Sequence, residues 1–164
     1  MYLTGRGQKA VGPTYRARVP ARDSFEHLYW IAEVRMKLEE EMPPLHWISE
    51  RAIQAKYRQR FEGQKLPRIP DGILIVPQQD STEEKIEIEV QISKPSDREV
   101  EEVLGDQFWS QGENNPVRYY VSKHARGVVR HVYIRMMQEG TAMRSRIEII
   151  DLEAWLQRPL DTFG

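Results

Sequence analysis

The chain has 164 residues, 40% hydrophobic and 30% charged, with 24 basic and 25 acidic side chains and no cysteine. That length suits one domain, or a domain with a short appendage, whose core needs neither disulfide nor structural metal. The lack of cysteine excludes thiolate zinc fingers, cysteine nucleophiles and iron–sulfur clusters, no apolar run approaches the ~18 residues of a membrane span, and no signal-peptide core opens the chain, so a cytoplasmic protein is expected.

Residues 1–22 carry Arg6, Lys9, Arg16, Arg18 and Arg22 with no acid and no sustained period. They read as a basic arm ahead of a single domain over 23–164. Asp23 and Glu26 have capping-box spacing, and Leu28, Ile31, Ala32, Val34 and Leu38 predict a helix over 24–41, ended by Met42-Pro43-Pro44. Ser49 is the expected cap of a second helix over 50–61, strongly basic through Arg51, Lys56, Arg58 and Arg60, and closed by Gly63 and Pro67. The apolar run Gly72–Val76 reads as a strand covered on both faces. Lys85–Ile92 alternates, with Ile86, Ile88, Val90 and Ile92 on one face and Lys85, Glu87, Glu89 and Gln91 on a solvated one. The two strands are expected to form a hairpin with a loop of roughly eight residues.

Ser96 and Glu99 form a second capping box, opening a helix over 97–110 on Val100, Val103, Leu104 and Phe108. A strand over 117–122, a helix over 125–138 ended by Gly140, a strand over 146–150 and a short helix near 152–156 complete the order. Helices alternating with strands predict an α/β fold, a mixed sheet flanked by helices. Charge is distributed in blocks. Residues 80–113 hold eleven acids against three bases, and 118–148 is basic again. A neutral total therefore leaves a polyanion partner open, because local fields steer association. The acidic helix is expected to face solvent or to meet the basic arm of another subunit.

The chemistry points to Pro70-Asp71-Gly72 and Glu89-Val90-Gln91. Antiparallel pairing lays the start of one strand beside the end of its partner, which brings Asp71 to Glu89. Two carboxylates and the Val90 carbonyl then offer oxygen ligands to a hard divalent cation, which activates water and neutralises phosphate charge. The residues also allow plainer roles. Asp71-Gly72 is a common turn pair, Glu89 and Gln91 can be exposed strand residues, and Glu50 a first-turn helix acid. His27, His46, His124 and His131 lack zinc spacing, and His27 is assigned to structure. No phosphate-binding glycine loop is present.

This pattern resembles the PD-(D/E)xK nuclease superfamily, with Gln91 where lysine is usual. Most of the chain, from about residue 22 to 135, resembles the replication-relaxation family of bacterial mobile elements. The resemblance is carried by Glu26-His27-Leu28, Trp47-Ile48-Ser49-Glu50-Arg51, Arg68-Ile69-Pro70-Asp71-Gly72, Ile88-Glu89-Val90 and Lys94. Members often carry a winged-helix region ahead of this domain, and only irregular sequence precedes Asp23 here.

The resemblance implies a restriction-endonuclease-like sheet with a helical N-terminal addition, and Mg2+- or Mn2+-dependent hydrolysis or nicking of DNA in replication or transfer of mobile DNA. In that scheme Asp71, Glu89 and Glu50 are the metal ligands. Gln91 or Lys94 places water or contacts the phosphate, and Arg51, Lys56, Arg58 and Arg60 hold the DNA backbone. Replacing Asp71 or Glu89 is expected to abolish cutting and spare the fold. The alternatives are a catalytically inactive, nuclease-fold DNA-binding accessory and a protein-interaction module. A homodimer is left open.

Overall fold

The computed structural model describes residues 22–41, 46–60, 62, 68–78, 82–105, 115–141 and 146–157. The expected basic arm, apart from Arg22, and Phe108 and Trp109 lie outside the described residues.

Helix α1 (Arg22–Glu41) starts ahead of Asp23, which therefore lies in its first turn and is not the N-cap of the expected capping box. Its core stripe is Trp30, Ile31, Val34 and Leu38, while Ala32 faces solvent. Strand β1 (His46–Ser49) was not expected. Four residues are too few to display a period of two, and β1 exists because it pairs with β2, Trp47 opposite Leu74. Helix α2 (Glu50–Arg60) follows β1 directly and buries only Ile53.

Strands β2 (Gly72–Pro77) and β3 (Glu83–Gln91) form the predicted antiparallel hairpin, with a shorter connection than expected. Helix α3 (Asp97–Leu104) carries the predicted Ser96–Glu99 capping box and stops at Gly105, whose extended backbone ends the helix short of 110. Strand β4 (Val117–Val121), helix α4 (Arg126–Glu139), strand β5 (Ile147–Asp151) and helix α5 (Leu152–Leu156) follow in the predicted order. Gly140 ends α4 in the left-handed conformation that glycine tolerates best, with φ of 62°.

The architecture is α/β. One five-stranded open sheet runs in the order β1-β2-β3-β4-β5, antiparallel from β1 to β3 and parallel from β3 to β5. One face carries α1 and α5 over Leu74, Ile86, Ile88, Val90 and Tyr120. Lys37 of α1 donates to the Trp155 carbonyl and lies 4.8 Å from the centre of its ring, which ties the two helices together. The other face carries the crossover helices α3 and α4 over Val117, Tyr119 and Val121. Two same-handed crossovers of consecutive parallel strands place their helices on the same side.

This layout corrects two expectations. β2 is not covered on both faces: Leu74 is buried and Ile73 and Ile75 are partly open, because α3 and α4 lie over the β4–β5 half of the sheet. The polar face of β3 is not solvated either. β3 is the central strand, so Glu87 and Glu89 are 1% and 4% exposed. Four acids of the acidic block have counterions among the described residues. Arg135 of α4 pairs with Asp97 at 2.9 Å and with Glu101, Arg98 pairs with Glu102, and Arg146 pairs with Glu84. The acidic helix is thus bound to its neighbour α4.

Candidate functional site

The register gathers the acids. Ser49 lies opposite Gly72, and Gly72 opposite Ile88. One step beyond this row, at the same sheet edge, come Glu50 after β1, Asp71 before β2 and Glu89 on β3. Three acids distant in sequence are therefore brought to the same end of neighbouring strands. Gly72 is required in that row because Trp47 covers it. A Cβ on Gly72 would lie 2.1 Å from the indole Cζ2. Asp71-Gly72 is accordingly the entry to a strand and not a turn.

Beyond the Gly72–Ile88 pair β2 offers no further backbone partner to Val90, and two side chains take its place. The Asp71 carboxylate accepts the Val90 N–H at 2.8 Å. His27 Nε2 lies 2.8 Å from the Val90 carbonyl oxygen and 3.4 Å from Asp71 Oδ2. Both neighbours are acceptors, so Nε2 carries a proton and donates. Burial disfavours a charged ring, but the Asp71 carboxylate, the Val90 carbonyl and Glu89 outweigh it and raise the His27 pKa from 6.5 to about 9.

Glu89 is gripped by Arg68, whose Nη2 and Nε donate to its two oxygens at 2.7 and 3.3 Å. Burial and then Asp71 push the Glu89 carboxyl upward, and the guanidinium opposes them. Arg68 loses solvation too, yet Glu89 holds its pKa above the ordinary value. Glu50 sits at the rim, exposed by area, with its pKa raised by partial desolvation and then by Asp71. Arg68 thus serves Glu89 and His27 serves Asp71, while His27 and Arg51 act on Glu50.

Gln91 turns to its surroundings. Its Nε2 donates to the Ser93 carbonyl at 2.9 Å, and its Oε1 accepts from the Tyr119 hydroxyl at 3.4 Å. Burial and the nearby Glu89 push the Tyr119 phenol upward. Lys94 is exposed in the loop after β3. Arg51, Lys56, Arg58 and Arg60 are all exposed on α2, whose first residue is Glu50.

The structure therefore brings Glu50, Asp71 and Glu89 to one edge, leaves Gln91 engaged beside them, and sets Lys94 outside. The expectation that Asp71 and Glu89 are dispensable for folding needs correction, since Asp71 completes the hairpin ladder and Glu89 is half of a buried ion pair. Sequence reasoning missed the roles of His27 and Arg68. His27 was legible as a member of the α1 core stripe, four residues before Ile31 and seven before Val34. Arg68 was legible only as a base three residues ahead of Asp71; buried Pro70 lies between them.

The donor types suit a hard cation, but the arrangement does not fit one as it stands. The Val90 carbonyl is taken by His27, both Glu89 oxygens face Arg68, and among the described residues no three His, Asp or Glu side chains are grouped as metal ligands. Among the described residues no helix is long and apolar enough to cross a membrane. Comparison of the chain with protein-family models, with curated proteins and with solved structures finds no match to any of them.

Proposed function

We propose that this chain is a nuclease-fold DNA-binding domain that serves the replication or transfer of mobile DNA and holds the phosphate backbone without cutting it. The observation that carries this reading is the set of exposed basic side chains on α2, with Arg51 and Arg58 on one side of the helix and Lys56 on another. Exposed cations clustered on one helix replace the counterions of a polyphosphate and position it without reading its sequence. The groups expected to perform hydrolysis are meanwhile bonded to internal partners, Glu89 to Arg68 and Gln91 to Ser93 and Tyr119.

A second reading, Mg2+- or Mn2+-dependent DNA hydrolysis by Asp71, Glu89 and Glu50, draws support from the register that brings these three acids to one end of neighbouring strands. A protein-interaction role is less favoured, because much of the acidic surface of α3 is paired with Arg98 and Arg135.

Titration of duplex and single-stranded DNA at two salt concentrations tests the proposal. Binding should weaken steeply with salt, and the double variant Lys56→Glu, Arg58→Glu should weaken it at low salt. The slope of log K against log salt should fall by about 1–2, as expected for two lost phosphate contacts. Absence of binding at low salt would overturn the proposal. Chelator-sensitive cleavage of linear or supercoiled DNA would favour the second reading.

A further inference from the structure

We infer that the His27 side chain stands where a nuclease-fold domain would hold its divalent ion, so that this site is closed by the chain's own side chains and does not take up Mg2+ or Mn2+. The inference rests on the nuclease-fold reading of Asp71, Glu89 and Val90.

The geometry begins with the end of β2. The register continued past Gly72 would put Pro70 opposite Val90, and proline offers a backbone acceptor but no donor. Asp71 supplies the acceptor and His27 Nε2–H the donor, each at 2.8 Å. Nε2 also lies 3.4 Å from Asp71 Oδ2, so one N–H faces a carboxylate and a carbonyl together. A magnesium ion bound there would draw on the same two oxygens at about 2 Å each. Ring and ion therefore compete for the same two oxygens.

The ring is placed by a rigid element. His27 belongs to the stripe that continues through Ile31, Val34 and Leu38, all buried against the sheet. Moving the ring out requires a new side-chain rotamer at a helix anchored by that core. The second carboxylate is closed in the same way. Arg68 forks onto both oxygens of Glu89, and Glu89 itself is 4% exposed. The two principal acids of the site thus each face a nitrogen donor of the chain's own, delivered from α1 and from the segment before β2. A site built this way has its oxygens occupied without an ion, and DNA docking on α2 proceeds without one.

The test needs no DNA, which separates it from failure of the binding reading. Mn2+ is titrated into the wild-type protein and into His27→Ala, with bound ion read by electron paramagnetic resonance and folding by circular dichroism. The wild type should show no saturable site, and His27→Ala, with the ring removed from Asp71 and the Val90 carbonyl, should show one at least about tenfold tighter than any residual wild-type binding, as removal of one hydrogen bond to a charged group allows. In parallel, the 15N signals of the wild-type His27 ring are followed during addition of Mg2+. They should not move. Saturable Mn2+ binding by the wild type, or a His27 signal displaced by Mg2+, would overturn the inference. So would a folded His27→Ala with no gain in Mn2+ affinity. If His27→Ala does not fold, the wild-type titration and the ring signals still decide.

Discussion

Arg68→Ala is the perturbation that most directly probes how the site is held. The arginine side chain is 24% exposed, and the Glu89 side chain it binds is 6% exposed. Removing the guanidinium leaves a carboxylate inside the central strand with Asp71 beside it and only the more distant His27 to offset it. Breaking one partner of a buried ion pair costs about 3–5 kcal/mol, a large share of the roughly 5–15 kcal/mol that folded domains possess. For a chain of this size each kcal/mol lowers the melting temperature by about 2–4 °C, so Arg68→Ala should melt about 6–20 °C below the wild type. Glu89→Gln in the same background removes the stranded charge and should recover much of the loss. The coupling energy from the double-mutant cycle, measured by urea denaturation, should exceed about 1 kcal/mol. The deficit should also shrink as pH falls, because the stranded carboxyl is then protonated. An Arg68→Ala cost below about 1 kcal/mol, with no coupling to Glu89, would place the pair with solvent-screened surface bridges and refute the account of the site as a buried, charge-compensated cluster.

Other outcomes follow from the same geometry. Gly72→Ala should destabilise by about 1–3 kcal/mol through overpacking against the Trp47 indole, and Trp47→Leu should relieve part of that cost, as read by denaturant midpoints. Asp71→Ala should leave the Val90 N–H without its acceptor, lowering stability by about 1–3 kcal/mol and raising amide exchange at Val90. For His27 the folded pKa of about 9 lies above the ordinary 6.5. Its protonation therefore contributes stability that is fully present below about 6.5 and is lost as pH rises through about 9. His27→Gln should remove that slope between these limits, and an unchanged stability profile would show that His27 does not titrate there.

The alternation Lys85–Ile92, the capping box at Ser96 and Glu99, and the apolar run from Gly72 determined on their own that this chain makes a hairpin followed by helix–strand units, because period and capping are local properties of the backbone. The pairing of Asp71 with the end of β3 was also legible, since antiparallel strands place start against end. What the sequence could not decide was which elements lie over which face. Alternating acids on β3 look solvated until β4 and the crossover helices enclose that face, and burial is a property of the packed layers. β1 has no periodic signal of its own and arises from pairing with β2. The partners of the acids, His27 from α1 and Arg68 from the segment before β2, were decided only by tertiary structure. Hydrogen bonds and ion pairs act over about 3 Å, and only folding brings residues 63 positions apart, His27 and Val90, within that range.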